Sequence, residues 1–592
     1  EIAAGGSSTL SNPAFAPTTS ELKKFDFVVA NPPFSTKSWQ NGFAKDEQKK
    51  IISDPYSRFD YGVPPSKNGD YAFLLHIINS LKSTGSGAVI LPHGVLFRGN
   101  VEASIRKEII KRGYIKGIIG LPANLFYGTG IPACIIVLDK KDCSSRESIL
   151  MIDAGNSFIK DGNKNRLQSR DIHKIVNVFT KRIEIKGFSR LVPVSEIIDP
   201  KNDYNLNIPR YIDSGYEDDI HDLKAHINGG IPKNDLDQLH NYWDVFTSTR
   251  KALFKQTINP DYLISCIPSD EIKVTILASA EYQVFAKKVE ANLKSWKDKY
   301  LPYLKSLNQG CNHKEVISEI SEELLSIFSK MPLIDKYDVY QHLMNYWSDV
   351  MQDDIYQISA EGWKDSAQIR QIIDEKEKGK KVKETPDIVV GTGKKAKKFK
   401  SELIPPYLIV QTYFSDEKNA IDKLEAQKEA ITQEIEDLTL EHSGEEGLLE
   451  DAKNNKGKLT KNSLKDRIKE IKDNQDFEDE IFVIKQAQTM LDRESSLASK
   501  IKSEQFELDK KTVTCYSKLN VEDIKELVVV SKWYKKLDIE VLNEVESVTQ
   551  TLTSRLKVLE ERYATSMPDL LKKVSNYSYL VEEHLKNMGL EW

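Results

Sequence analysis

The feature that most limits what this chain can fold into is a rigid corner, Asn31-Pro32-Pro33-Phe34, set directly after a short apolar run, Phe25-Asp26-Phe27-Val28-Val29-Ala30. An apolar run of this length, bounded by turn residues, reads as a buried parallel strand. Each proline fixes its own φ and pushes the residue before it out of the helical region, so the chain leaves the strand as a stiff corner. Open α/β sheets hold their ligands at the carboxyl ends of their strands. There the Asn31 side chain and a neighbouring backbone carbonyl can face one small polar group, with the Phe34 ring beside them. That set suits a planar base bearing an exocyclic amino group, with two acceptors for its N–H bonds and a ring to stack on. The plainer alternative is a Pro-Pro turn closing a strand, with Phe34 in the core.

The pattern after the corner alternates strand and helix. Strands are expected at Phe25–Ala30, Ala88–Leu91, Ile115–Ile119 and Cys134–Leu138, with helices at Tyr71–Lys82 and Glu102–Arg112. Gly85-Ser86-Gly87 reads as a turn before the second strand. This is a doubly wound α/β arrangement. Asp70 is placed to cap the first helix. Asp70, Phe73 and His76 are also candidates for lining a pocket beside Phe34.

Four further segments accompany the corner: Gly69-Asp70-Tyr71-Ala72-Phe73-Leu74-Leu75-His76, Ala88 to Gly99, Ile119 to Phe126, and Asp203-Tyr204-Asn205-Leu206-Asn207-Ile208-Pro209-Arg210-Tyr211. With the Asn-Pro-Pro-Phe motif, they resemble the modification subunit of type I restriction–modification systems, a family of adenine-specific DNA methyltransferases. The resemblance implies a Rossmann-like, S-adenosylmethionine-dependent methyltransferase sheet. It implies a catalytic set of Asn31, Pro32, Pro33 and Phe34, with Asn31 and Pro32 bordering the cofactor and Phe34, Asp70 and Phe73 around the substrate base. Double-stranded DNA, a specificity subunit, a restriction subunit and a second copy of the modification subunit are the implied partners.

The target amino nitrogen is a poor nucleophile because its lone pair is delocalised into the ring. Acceptance of both its protons by Asn31 Oδ1 and the Pro32 carbonyl would let it become more tetrahedral. Neither a covalent intermediate nor a strong general base is needed, and positioning and electrostatics carry the rate gain. The base must first be flipped out of the duplex. In this family the Gly-rich cofactor loop precedes the Asn-Pro-Pro-Phe strand, and Gly5-Gly6 is too close to that strand to be it. The expectation is therefore a partial sheet that lacks most of the cofactor site. Two competing readings are a non-catalytic helical scaffold that binds the specificity subunit, and a methyltransferase acting on RNA or protein glutamine.

A length of 592 residues implies several domains. Residues 1–150 read as half of the catalytic domain, 151–215 as a mixed connecting segment, and 216–592 as a helical region for subunit assembly. Charged residues make up 29% and mean hydropathy is −0.46. No apolar run approaches a membrane span. The 5 cysteines are scattered without a Cys-x-x-Cys pair, which argues against a zinc site and for a reducing, cytoplasmic setting. A net charge of −5 is unusual for a free-standing DNA binder. It fits a subunit whose grip on DNA is local or supplied by a partner.

Beyond about residue 216, helical periodicity takes over. Ile421, Leu424, Lys428, Ile431, Ile435 and Leu438 form a coiled-coil seam with one charged break, and Val541, Val545, Val548, Leu552, Leu556, Leu559 and Tyr563 form another. An antiparallel hairpin or bundle is expected, with a docking arm for the specificity subunit favoured over a bundle closed on itself. The two Tyr-Trp tracts at Tyr242-Trp243 and Tyr346-Trp347 read as core. The Lys-rich stretch from Lys376 to Lys400 reads as a solvated linker or a DNA-facing loop; its Gly391-Thr392-Gly393-Lys394-Lys395 lacks the spacing of a phosphate loop.

Overall fold

The structure, a computed structural model, describes residues 10–11, 13, 21–47, 51, 54–215, 220–372, 376–377, 380–381, 384–391, 393, 396–444, 447–454, 457–472 and 474–589. Gly5 and Gly6 lie outside the described residues. The chain divides into two units. One comprises Glu1–Ile272, Asp335–Gln341 and Ser554–Trp592, and the other Lys273–Ile334 and His342–Thr553.

The first unit is built on a six-stranded mixed sheet. Its elements run β1 (Phe25–Ala30), α1 (Asp70–Ser80), β2 (Leu81–Pro92), α2 (Asn100–Lys111), β3 (Ile115–Gly120), β4 (Ala133–Asp139) and β5 (Ser148–Asp153). A small hairpin of β6 (Ile159–Asp161) and β7 (Lys164–Arg166) follows, then α3 (Ser169–Lys181) and β8 (Ser189–Pro193). The strand order is β1-β2-β4-β3-β5-β8. β1 pairs parallel with β2, β4 lies antiparallel between β2 and β3, and β5 runs parallel to β3. The carboxyl ends of β1, β2, β3 and β5 therefore share one end of the sheet.

The central strands are apolar on both faces because both faces are covered. Along β4, Cys134, Ile136 and Leu138 join the core with Leu74 and Leu75 of α1 and Ile105 and Ile109 of α2. The alternate residues Ile135 and Val137 pack with Ile175 and Val178 of α3. On β5, Ile149 and Met151 face one core while Leu150 and Ile152 face the other. Each such side chain buried contributes about 1.5–3 kcal/mol.

Four expectations are corrected in this unit. β1 is parallel but not buried. It is an edge strand, and Phe27 and Val29 are 80% and 81% exposed because no described element covers that face. Gly85-Ser86-Gly87 is not a turn but lies inside β2, where Ser86 pairs with Phe27. A Cβ on Gly85 would stand 2.9 Å from the Phe25 carbonyl oxygen and one on Gly87 3.1 Å from that of Val28, so glycine lets β1 approach. The sheet also crosses the expected boundary at residue 150, since β5 and β8 complete it. Finally, Asp203–Tyr211 is no exit segment. Leu206, Ile208 and Tyr211 are buried in the main core, and Arg106 Nε donates to the Tyr204 carbonyl at 2.9 Å.

The boundary at 216 moves as well, because residues 220–272 and the chain from Ser554 onward belong to the first unit. The latter includes the helix Met567–Asn587, none of whose residues is buried. Trp243 and Phe246 of the first Tyr-Trp tract are core residues, as expected.

The second unit is mainly helical. Helix Ser415–Glu441 pairs with Glu478–Tyr516 in opposite directions, as fixed by Lys511 on Glu417 at 3.0 Å and Thr432 Oγ1 donating to Glu494 at 3.1 Å. Ile421 and Leu438 are buried in the seam and the members between them are half-buried. The second seam begins in this unit and its members from Leu556 on belong to the first unit; every member, Val541 to Tyr563, is at most 6% exposed. The second seam is thus buried along its length, and the first is partly covered by its antiparallel partner helix. The Lys-rich stretch contains paired strands, Ile388–Val390 with Lys397–Lys400, and Arg370 bridges Glu384 and Glu402 beside them. Gly391 and Gly393 belong to that hairpin's connection; Thr392, Lys394 and Lys395 lie outside the described residues. Tyr346, Trp347 and Met351 are buried, so the second Tyr-Trp tract is core too.

Lys532 sits in a π-helical stretch, Glu526–Tyr534, and is buried with Asp354. Its ammonium donates to both Asp354 oxygens at 2.8 and 2.7 Å and to the Leu403 carbonyl at 2.7 Å, while Trp533 Nε1 donates to Asp354 Oδ2 at 2.7 Å. Burial pushes the Asp354 carboxyl up and the Lys532 ammonium down, each against the pull of the other. Breaking such a pair leaves one buried charge uncompensated. Lys532→Met or Asp354→Ala alone should lower the unfolding free energy by about 3–5 kcal/mol in urea titration, and the double replacement by distinctly less than the two effects added.

Candidate active site

The corner leaves β1 at the sheet's carboxyl end. The Asn31 side chain is exposed there, Pro32 is half-buried and Pro33 is exposed. Phe34 is half-buried and meets Phe126 edge to face, with ring centroids 5.7 Å apart. Phe126 lies in the segment between β3 and β4, so the segments that follow two separate strands converge on the corner. Thr36 Oγ1 donates to the Pro33 carbonyl at 2.9 Å, which closes the turn on itself. Ser35 takes a left-handed φ of 51°, a conformation that costs a non-glycine residue about 1–3 kcal/mol and needs support from its surroundings.

Asp70 provides that support. It is fully buried at the start of α1. Its Oδ1 accepts the Ser35 backbone N–H at 2.7 Å and its Oδ2 accepts Arg98 Nη1 at 2.9 Å. The cap position of α1 is Gly69, without a side-chain cap, and Asn68 Oδ1 accepts the Asp70 N–H at 3.0 Å. Asp70 therefore opens α1 without capping it, and its buried carboxylate is turned to Ser35 and Arg98. Phe73, one turn further along α1, packs half-buried against the core, and no described contact brings its ring to Phe34.

Arg98 comes from the segment after β2. It also reaches Glu102 at 3.2 Å, and burial pushes the Glu102 carboxyl up against the pull of Arg98. The same segment is stapled from below. Tyr71 donates to the Val95 carbonyl at 2.7 Å, Arg106 donates to the Arg98 carbonyl at 2.9 Å, and the Leu206 N–H donates to the Leu96 carbonyl at 2.9 Å. His93 opens the segment. Its ring bonds the Ala133 backbone, and burial holds its imidazole below the ordinary range. Its buried Nε2 has no hydrogen-bond partner among the described residues. A Cβ on Gly120 would come within 3.5 Å of that nitrogen and 2.7 Å of Ile208 Cδ1, so a larger residue at the end of β3 would have to displace the Ile208 side chain.

His76 belongs to a structural network. Arg58, 2% exposed, pairs with Asp54 at 2.6 Å and places Nη1 3.1 Å from His76 Nδ1. A guanidinium only donates, so Nδ1 accepts and the neutral ring carries its proton on Nε2. Sequence reading did not single out Phe126, Arg98 or Gly94. The segments that contain them were visible, but their convergence on the corner depends on strand order.

The arrangement can present acceptors and an aromatic face to a flat amino-bearing base, on a corner held from below. Among the described residues no group of three or more His, Cys, Asp or Glu could hold a metal ion, and no helix is long and apolar enough to cross a membrane.

Burial, then the nearby Arg58 guanidinium, pushes the His76 imidazole down to about 4 from 6.5. The unfolded chain therefore binds this proton more readily, and the stability held by neutral His76 is present above about pH 6.5 and lost as pH falls toward 4. His76→Gln, which can still accept from Arg58, should flatten the dependence of melting temperature on pH across that window.

Residues 1–219 match the family model for N-6 DNA methylase. The methylase subunit of the MpnII type I restriction enzyme of Mycoplasma pneumoniae is 33% identical over 201 residues, covering 34% of this chain and 36% of the relative. The MjaVIII methylase subunit of Methanocaldococcus jannaschii is 34% identical over 241 residues, covering 39% of each chain. Among solved structures, a type I methyltransferase subunit from Streptococcus thermophilus matches at 39% identity with a TM-score of 0.30, over 34% of this chain and 41% of that one. The chain thus matches well under half the length of these relatives. Residues 1–219, which hold the Asn-Pro-Pro-Phe corner and the shared sheet end, thus match the N-6 DNA methylase model and are similar to the methylase subunits of type I restriction enzymes.

Proposed function

We propose that this chain carries the acceptor-base side of an adenine-N6 DNA methyltransferase and acts as the modification subunit of a type I restriction–modification complex. The observation that carries the reading is the exposed Asn31 side chain beside the Phe34 ring, at the sheet end where such folds hold ligands. Asn31 Oδ1 and the Pro32 carbonyl accept the two N–H bonds of the target amino group. This draws the nitrogen out of conjugation and aims its lone pair outward. Phe34 stacks on the flipped base and, at roughly 1–3 kcal/mol, offsets part of the few kcal/mol that flipping costs. Neither Asp70 oxygen is free to act as a base, which agrees with a reaction that needs none.

S-adenosylmethionine, when bound, supplies an electrophilic sulfonium methyl group. Asn31 and Pro32 are the residues that would border it. The carboxylates at this sheet end do not suit its ribose hydroxyls: Asp70 is engaged by Ser35 and Arg98, and Asp153 by Ser214 and the Gly155 N–H. No adenosyl-holding role is assigned to them.

The partner reading rests on the helix Met567–Asn587. Met567, Leu570, Val574, Tyr577 and Val581 recur at three- and four-residue spacing, Met588 follows two turns later, and all six are 49–75% exposed. Among the described residues that face stays exposed, and its coiled-coil spacing suits the long helices expected of a specificity subunit. A net charge of −5 agrees with sequence recognition on DNA residing in that partner. The restriction subunit and a second modification subunit complete the assembly in this reading.

In the complete methyltransferase complex, Asn31→Ala should lower transfer of labelled methyl groups to duplex DNA by about 10²–10³-fold without moving the melting temperature, since the side chain is exposed. A protein serving only as a scaffold would show no effect, and unchanged methylation would sink the mechanism. Phe34→Tyr should keep most of the activity that Phe34→Ala loses. Val574→Glu with Val581→Glu should abolish co-purification with the specificity subunit while the helical circular dichroism stays constant.

A further inference from the structure

The Ser35–Asp70–Arg98 arrangement has a geometry that stability alone does not account for. A buried ion pair is weak evidence for stability, because well-packed apolar residues often replace one at no loss. This one bridges two segments that leave different strands. One carboxylate oxygen holds the amide directly after Phe34, in a left-handed conformation, and the other holds a guanidinium from the segment after β2. The guanidinium is seated in turn. A Cβ on Gly94 would stand 2.5 Å from Arg98 Nε and 2.6 Å from Nη2, so any larger residue there pushes the guanidinium out of this seat. Glu102 holds the same Nη1 at 3.2 Å, and Arg106 holds the Arg98 carbonyl.

We infer that Asp70, Arg98 and Gly94 form a positioning lock that sets the pitch of the Asn31–Phe34 corner relative to the acceptor base. Asp70 transmits the seat of Arg98 to the Ser35 amide, and thus to the Phe34 ring and the Pro32 carbonyl. These residues touch neither base nor cofactor. The inference rests on the methyltransferase reading of the corner. It adds a fixed orientation of the two acceptors, where a misplacement of about 1 Å costs on the order of 10²-fold in rate.

The test is a double-mutant cycle in the methyltransferase complex, using Asp70→Asn and Gly94→Ala. In Asp70→Asn the new amide is isosteric with the carboxylate and can still accept the Ser35 N–H, but the charge that holds Arg98 is gone. The new methyl in Gly94→Ala displaces Arg98 with no change of charge. Each should lower kcat by about 10²-fold, with the KM for S-adenosylmethionine and the affinity for DNA unchanged. The double variant should be no slower than the slower single one, because both act through Arg98. Asp70→Ala, which also frees the Ser35 amide, should be slower than Asp70→Asn.

Wild-type kcat in folded Asp70→Asn or Gly94→Ala would overturn the lock, as would losses that multiply in the double variant. A loss that appears only in melting temperature or in KM would overturn it too. If Asn31→Ala methylates normally, the reading of the corner fails first. If Asn31→Ala is dead and Asp70→Asn is fast, only the lock fails.

Discussion

The site hangs on one buried carboxylate. Asp70 is fully removed from water and returns to the structure two charge-assisted hydrogen bonds, one to a backbone amide and one to a guanidinium. Bonds to charged groups contribute about 1.5–3 kcal/mol each, and the carboxylate left without its partners would be a buried, unpaired charge. The Ser35 conformation, the seat of Arg98 against Gly94 and the tilt of the Phe34 ring all depend on that carboxylate. The prolines make the corner stiff, but stiffness does not choose a direction. The direction comes from a side chain that lies 35 residues away from Ser35.

The sheet around this point is built by close backbone approach as much as by apolar burial. Gly85 and Gly87 let β1 lie against β2, and Gly120 leaves room for Ile208 and His93 at the end of β3. Each is a place where a Cβ would meet backbone or a packed side chain. The central strands β3, β4 and β5 send alternate residues into two cores, one under α1 and α2 and the other under α3. β1 stands apart. It carries the corner from the sheet's edge, and its two outward aromatic and aliphatic side chains face solvent.

In the helical part of the chain, apolar periodicity and partner availability separate. The seams at Ile421–Leu438 and Val541–Tyr563 have the better heptad pattern, yet the second is buried throughout and the first is half-buried between its buried ends. The exposed face is on the last described helix, Met567–Asn587, whose spacing is no more regular. Periodicity records that a helix has a face to bury, and it is silent on whether the same chain buries it.

Local signals in the amino-acid sequence were enough for the α/β class, the strands expected at Phe25–Ala30, Ile115–Ile119 and Cys134–Leu138, each within a residue of its observed ends, and the Asn31–Phe34 corner, because short apolar runs and Pro-Pro geometry act over a few residues. They were also enough for the antiparallel helical hairpin and the buried Tyr-Trp tracts. What lay beyond them was set by contacts between distant residues. The pairing of Phe27 with Ser86 turned an apparent glycine turn into strand. The edge position left β1 half in solvent. The convergence of Ser35, Asp70 and Arg98 made a helix-start aspartate into an anchor. Phe126 reached Phe34 only because β3 and β1 end at the same side of one sheet. Strand order and burial are properties of the assembled core, where each position is decided by what packs against it, and no window of sequence contains that information.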